Sequence, residues 1–205
     1  GIARVRARRG GGRVTAVRVA FQGELGAYGD QVILEQWRGA ATAVPSRTFE
    51  DVVTSVASGM AVFGVLPIWN STIGDIVPGR AAVQLGCGNQ YNLAIISDAR
   101  VAVRHHLLGL PGSAMDEIVT VSSHPAALAQ CGRFLDDHPR LVVTPAYDTA
   151  GAARDLATFG RSGSSAIAGA RAASLYGLVV LKPEIQDDPD NFTHFVILAT
   201  HPATR

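Results

Sequence analysis

The residues best placed to do chemistry lie close to the C-terminus. Ile185-Gln186-Asp187-Asp188-Pro189-Asp190 is a polar, Pro-containing stretch, and Asn191-Phe192-Thr193-His194-Phe195-Val196-Ile197-Leu198 runs from it into apolar residues. Turn chemistry followed by Phe, Val, Ile and Leu predicts a loop feeding a buried strand. A hydroxyl (Thr193) and an imidazole (His194) therefore sit where a loop enters a sheet, and in open α/β folds such edges line ligand crevices. Taken alone, the stretch favours a threonine that bonds a neighbouring turn and a partly exposed histidine.

Four other stretches point to the same crevice. Gly26-Ala27-Tyr28, Asn70-Ser71-Thr72, Ser123-His124-Pro125 and Asp148-Thr149-Ala150-Gly151 each place small or polar residues at an expected helix start. Free backbone N–H groups there, with the positive end of the helix dipole, favour a carboxylate or a phosphate. Any one of these turns is an ordinary cap. Four of them gain weight because parallel topology brings all strand C-termini to one rim.

Other chemistries find less support. Neither a Gly-x-Gly-x-x-Gly fingerprint nor a phosphate-loop lysine is present. His105-His106 lacks carboxylates or thiols at metal-ligand spacing. Ser123, His124 and Asp148 supply the residue types of a nucleophilic triad. However, adjacent Ser and His side chains rarely meet as nucleophile and base, and no nucleophile elbow accompanies them.

The elements that must position these groups follow from the apolar pattern. Val17–Phe21 reads as a strand, and a helix runs through Val32, Ile33, Leu34 and Trp37 to Gly39. A short strand at 42–45 precedes a helix capped by Ser46 or Thr48, with Phe49, Val52, Val53 and Val56 on its apolar face. Phe63–Ile68 is a third strand, and Tyr91–Ile96 a crossing strand. The order then repeats. Strands are expected at 117–121, 141–144 and 165–168, with helices from Pro125 to Leu135, from Thr149 to Leu156 and from Ala170 to Tyr176. A final strand, Phe195–Leu198, returns the chain to the first half. The repeat predicts an α/β protein with two similar parallel-sheet lobes and a central cleft. The expected divisions are a basic arm at 1–16, lobe 1 at 17–92 plus 183–205, and lobe 2 at 93–182. No low-complexity linker separates the lobes, which predicts one closely coupled unit.

Composition agrees. Of 205 residues 47% are hydrophobic and 17% charged, enough apolar material for a sizeable core. No apolar run approaches a membrane span, and the N-terminus lacks the apolar segment of a secretory signal. Cys87 and Cys131 suggest neither a disulfide framework nor a metal site, so a cytoplasmic protein is expected. The net charge of +1 is uneven. Arg4, Arg6, Arg8, Arg9 and Arg13 crowd residues 1–13 without an acid, leaving 13 basic against 17 acidic side chains elsewhere. The arm has no aromatic interleaving and no recognition helix after it, which argues for a loosely held tail or an arm clasping an acidic partner subunit rather than nucleic acid.

Several ordered motifs resemble the catalytic domain of prephenate dehydratases. Val19-Ala20-Phe21-Gln22-Gly23-Glu24-Leu25-Gly26-Ala27-Tyr28 is similar to that family's opening strand and Gly-rich turn. Phe49-Glu50-Asp51-Val52, followed by Gly64-Val65-Leu66-Pro67-Ile68-Trp69-Asn70-Ser71, is similar to its segment ending Pro-Ile-Glu-Asn-Ser. Ser123-His124-Pro125-Ala126-Ala127-Leu128-Ala129-Gln130-Cys131 is similar to its Ser-His-Pro-Gln-Ala-Leu-x-Gln-Cys stretch, and Asn191-Phe192-Thr193-His194-Phe195 to its Asn-x-Thr-Arg-Phe motif. The likeness spans roughly residues 17–199.

The resemblance implies a fold like the type II periplasmic binding proteins and a reaction in which prephenate loses carbon dioxide and water to give phenylpyruvate. By resemblance Thr193 assists departure of the ring hydroxyl. His194, if it faces the cleft, holds a substrate carboxylate or donates a proton to the leaving hydroxide; strand alternation would instead point it away from Thr193. Asn70, Ser71, Ser123, Gln130 and Thr149 bind or line the substrate, joined by Gly26, Ala27 and His124 from the helix-start turns. Neither metal nor organic cofactor is implied, and the family's habit of association predicts a homodimer or larger. The chain stops at Arg205, so the phenylalanine-sensing ACT domain that usually follows is expected to be absent. Four residues depart from the pattern: Trp69 for Glu, His194 for Arg, Gly29 for Ser or Thr, and Ala126 for Gln. Two alternatives follow. One is a decarboxylase that keeps the hydroxyl and does not aromatise. The other is an inactive protein that binds small carboxylates.

Overall fold

The computed structural model describes residues 16–201. The arginine arm thus lies outside the described residues, apart from Ala16. In chain order, β1 (Val17–Gln22), α1 (Tyr28–Trp37), β2 (Ala41–Ser46), α2 (Phe49–Ala57), β3 (Phe63–Asn70), β4 (Gly74–Asp75), α3 (Val77–Cys87) and β5 (Leu93–Ala102) build the first part. Then come β6 (His106–Gly109), a 3₁₀ turn at Met115–Glu117, β7 (Thr120–Ser123), α4 (Pro125–Ala129), α5 (Gly132–Asp136), β8 (Val142–Pro145), α6 (Thr149–Phe159), β9 (Ser164–Ala168), α7 (Ala170–Tyr176), β10 (Val179–Lys182) and β11 (Phe192–Thr200).

Two sheets result, as the repeated pattern predicts. The first has the order β2-β1-β3-β11-β5 with β4 beside β3, the second β10-β6-β9-β7-β8. β1, β2 and β3 run parallel, as do β7, β8 and β9. Each sheet also carries antiparallel strands: β11 between β3 and β5, and β6 with β10 beside β9. The expected boundary after residue 92 differs from the sheets, because β5 pairs along its whole length with β11 in the first sheet. The chain changes sheets at 103–105 instead. The helix expected from Pro125 to Leu135 is broken at Gln130-Cys131, because Asp187 reaches in from a distant loop. Its carboxylate accepts from the backbone N–H of Gly132 and Arg133, both at 3.0 Å, and starts α5 afresh.

Local chemistry accounts for the elements around the cleft. α2 opens on a capping box, with Thr48 Oγ1 accepting from Asp51 N and Asp51 Oδ2 from Thr48 N. Its buried Val52, Val53 and Val56 pack on β1 and β3 with Ala20, Leu66, Val196 and Leu198. α3 lies so close to β3 that a Cβ at Gly79 would meet Pro67 O at 1.8 Å, so only glycine fits. The other face of the first sheet shares one core with the second. Phe21, Val65, Phe195 and Ile197 join Leu108, Ala150, Ala153, Ala166 and Ala172. That continuity supports one coupled unit.

Polar contacts tie the lobes on one side. Arg171 Nε donates to Asp30 Oδ2 at 2.6 Å, and Asp30 is only 1% exposed. Tyr176 Oη donates to Leu25 O, and Arg154 pairs with Glu24 at 2.7 Å. Gly26 has φ +92°, and a Cβ there would meet Ala172 Cα at 2.9 Å, so this turn needs glycine twice over. No helix among the described residues is long and apolar enough to cross a membrane.

Candidate active site

A cavity of about 920 Å3 opens between the lobes. One part of its wall comes from the start of α1 (Ala27, Tyr28, Gly29) and from His124, Asp148 and Thr149 of the second lobe. Another comes from the α2 start (Arg47–Glu50), from β3 (Val65, Pro67) and from the face of α3. A smaller cavity of about 140 Å3 adjoins it, lined by Asn70, His105, Ala127 and Gln130 among others. Both touch Tyr28, Ile73, Ile76, His124, Thr149 and Thr193, so they are two parts of one cleft.

Thr193 stands where the two parts meet. It is the second residue of β11, directly opposite Asn70 of β3. Asn70 Nδ2 donates to Thr193 Oγ1 at 3.0 Å, and also to Asn191 Oδ1 and Phe192 O. Asn70 Oδ1 accepts from the backbone N–H of Thr72 and Ile73, which closes an Asx turn. The turn fixes which way the amide faces: oxygen toward the turn, nitrogen toward Thr193. The Thr193 oxygen is thus an acceptor for Asn70, and its own hydrogen is left to be donated into the cleft. Asn191 is buried beside this pair. Its Nδ2 is, among the described residues, the one buried side-chain nitrogen or oxygen without a hydrogen-bond partner.

Gln130 approaches from the second lobe. Its Nε2 donates to Asn70 Oδ1 at 3.3 Å, and its Oε1 lies 3.0 Å from His105 Nε2. His105 Nδ1 lies 3.1 Å from Tyr28 Oη, which also donates to Arg104 O at 2.9 Å. Burial pushes the His105 pKa down to about 4, with the Gln130 hydrogen bond opposing, so the ring is neutral near pH 7. Burial likewise pushes the Tyr28 phenol up.

The other expected site residues divide. Ala27, His124 and Thr149 line the cleft. His124 caps α4, its Nδ1 accepting from Ala126 N. Asp148 caps α6 by accepting from Gly151 N, and burial raises its pKa. Ser123 is turned away: fully buried, it donates to Ile167 O at 2.6 Å, so Ser123, His124 and Asp148 form no triad. Ser71 accepts from Phe192 N at 2.9 Å and closes the β3–β11 end. Gly26 shapes the turn without lining the cleft. The expected helix after Asn70 is an Asx turn leading to β4, so three of the four turns start helices directly.

His194 requires correction. It follows Thr193 in β11, and strand alternation points it to the opposite face. There its Nε2 lies 3.0 Å from Asp98 Oδ2 of β5, and it lines neither cavity. Trp69 is its direct cross-strand partner on β3 and packs against Phe192, over which Arg100 sits at 3.7 Å from the ring centroid.

Sequence reasoning missed His105, Arg47 and Asn191 as site residues, and named Tyr28 only as part of a helix-start turn. Asn191 carried a usable signal, being part of the same short motif as Thr193. His105 carried none, since its partners are 77 and 25 residues away.

A family model described as prephenate dehydratase matches residues 19–203. The chain is 38% identical over 186 residues to arogenate dehydratase/prephenate dehydratase 1, chloroplastic, of Arabidopsis thaliana, covering 91% of this chain and 46% of that protein. It is 34% identical over 188 residues to a bifunctional N-acyl-homoserine lactone acylase/prephenate dehydratase of Komagataeibacter europaeus, covering 91% and 64%. Among solved structures, prephenate dehydratase in complex with L-Phe from Arthrobacter aurescens superposes with a TM-score of 0.81 at 28% identity, over 91% of this chain and 61% of that one. The chain spans about half the length of the first of these curated relatives.

Proposed function

The chain belongs to the prephenate dehydratase family, and on that premise we propose that it converts prephenate, or the arogenate named for its plant relatives, by joint loss of carbon dioxide and water. The observation that carries this reading is the Thr193 hydroxyl. Its oxygen accepts from Asn70 at the junction of the two cavities, and among the described residues no acceptor takes its hydrogen. The ring carboxylate departs as carbon dioxide, and its electron pair enters the ring and expels the hydroxyl. The departing hydroxide takes a hydrogen bond from Thr193 and a proton from water. Aromatisation drives the step, so Thr193 need only stabilise the charge that develops on the leaving oxygen.

The remaining groups fit a dicarboxylate. α1 begins at Tyr28 without a side-chain cap, and Ala27, Tyr28 and Gly29 line the cleft. Its first backbone N–H groups and the Arg47 guanidinium can take carboxylates. α6 is less suited, because Asp148 already caps it. Val65, Ile73, Ile76 and Phe195 give the cleft an apolar wall in which these contacts gain strength.

Trp69 and His194, the departures that motivated a non-aromatising decarboxylase, lie on the outer face of the sheet. Their position supports keeping dehydration. Incubation with prephenate, and separately with arogenate, followed by absorbance and mass analysis, tests the reading. Phenylpyruvate or phenylalanine is the expected product. A hydroxylated, non-aromatic acid, or bound but unchanged substrate, overturns it. The same reading includes a cytoplasmic homodimer or larger assembly, against which light scattering of a pure monomer would count.

A further inference from the structure

The hydrogen-bond chain behind Thr193 has a direction that can be worked out donor by donor. It begins at the Asx turn, where the backbone N–H groups of Thr72 and Ile73 hold Asn70 Oδ1 at 3.0 and 3.1 Å. Backbone N–H groups cannot reverse, so Asn70 cannot flip. Gln130 faces that same Oδ1 and must present Nε2, since an oxygen there would meet an oxygen. Its Oε1 is therefore turned to His105 Nε2, 3.0 Å away. A neutral imidazole has one N–H, and here it must sit on Nε2. His105 Nδ1 is then an acceptor, and the single phenolic hydrogen of Tyr28 is shared between it and Arg104 O.

Tyr28 divides its hydrogen between Arg104 O and His105, and from His105 on every donor points the same way: His105 to Gln130, Gln130 to Asn70, Asn70 to Thr193. The chain crosses from the first lobe to the second and back, and its members are buried or line the cleft. Aligned hydrogen bonds in a low-dielectric interior polarise one another. The last donor, Thr193 O–H, is left for a ligand in the cleft that Thr193 lines.

We infer, resting on the dehydration reading, that His105 in its Nε2–H form is a positioning residue that acts through Gln130 and Asn70 to keep the Thr193 hydroxyl donating into the cleft. It touches no reacting atom. Its ring is 2% exposed and held from behind, its backbone N–H donating to Gln186 Oε1 and its carbonyl accepting from Ile185 N. The competing arrangement puts the proton on Nδ1, where it would serve Tyr28 well. It would also set a bare Nε2 against Gln130 Oε1 and break the chain.

Two measurements on the full chain test this. Long-range 15N–1H correlation spectra of protein labelled at its six histidines report each tautomer, and the His105 signals are those lost in His105→Gln. The expected result is a proton on Nε2 and a bare Nδ1, unchanged from about pH 6 to about pH 9. A proton on Nδ1, or a charged ring, overturns the inference. Kinetics supply the second test. His105→Phe keeps the ring bulk but removes the donor, and should lower kcat on the order of a hundredfold, with KM within about threefold. His105→Gln keeps an N–H for Gln130 and should recover about tenfold of that loss. Equal losses in both variants, or a loss confined to KM, would mean that His105 only packs. If His105→Phe does not fold, the wild-type tautomer and His105→Gln decide. Wild-type protein that binds prephenate without turnover overturns the dehydration reading and the role with it. An Nδ1 proton in an active wild type overturns the His105 role alone.

Discussion

Thr193 and His194 are adjacent in β11 and occupy different environments. On the inner face, Thr193 is buried, lines both cavities, and receives a hydrogen bond from an Asn70 that backbone amides hold in place. On the outer face, His194 meets an Asp98 that is largely exposed, beside a stack of Trp69, Phe192 and Arg100. One peptide unit separates a group built into a network from one on a solvated surface. The family pattern has Glu at position 69 and Arg at 194. In this fold those positions are cross-strand partners on the outer face, so both departures fall on one surface pair.

The sharpest test of the inner face is Thr193→Ala. It should lower kcat by roughly two to four powers of ten with little change in KM, and Thr193→Ser should regain part of the loss. Steady-state kinetics on protein shown to be folded separates this from instability. Wild-type turnover in Thr193→Ala would erase the distinction between the faces.

The next effect belongs to the inner face alone and appears in stability. His105 is buried neutral, its pKa lowered from 6.5 to about 4. Unfolding therefore takes up a proton at any pH between those values, and stability rises with pH across that window. The contribution is fully present above about pH 6.5 and is lost as pH falls toward 4, roughly 3 kcal/mol in all. Urea unfolding at pH 7, 5.5 and 4.5 should show the decline, and His105→Gln should reduce it, leaving the part owed to the buried His106, whose pKa burial also lowers. A decline of equal size in His105→Gln would place its origin elsewhere.

The inner face was partly legible in the sequence and the outer face hardly at all. Thr193, Asn70, Gln130, Ala27 and Thr149 stand in short motifs next to strand ends, and such motifs declare themselves through local spacing. The two-lobed order was legible for the same reason, since each strand and helix carries its own apolar period. What escaped depended on distant partners. β5 joins the first sheet because β11, some ninety residues later, pairs with it. The break after Gln130, where α5 restarts, is made by Asp187. Ser123 has the motif's identity, but its hydroxyl is taken by Ile167 O, a bond no local pattern announces. For His194 the sequence offered two placements, beside Thr193 by its motif or away from it by strand alternation, and the side chain takes the second, against Asp98.

The smallest expected effect is therefore the most discriminating for the outer face. His194→Ala removes an exposed contact to Asp98, and such pairs are worth about 0–1 kcal/mol. Its kcat should stay within about twofold of wild type, because the side chain lines neither cavity. The pH profile of kcat is the stronger readout. A histidine in contact with substrate would impose its own titration on the profile, and replacing it would move a limb. A histidine across the sheet from the substrate cannot, so the profiles of wild type and His194→Ala should superimpose. The double variant Trp69→Glu, His194→Arg restores the family's pair and sharpens the point. If the outer face only supports the sheet, the double variant should also keep its kcat and its profile, and shift stability by less than about 1 kcal/mol. A moved limb in His194→Ala, or a large gain in kcat on restoring the pair, would show that the outer face communicates with Thr193 through β11. The division between the two faces would then fail as an account of this site.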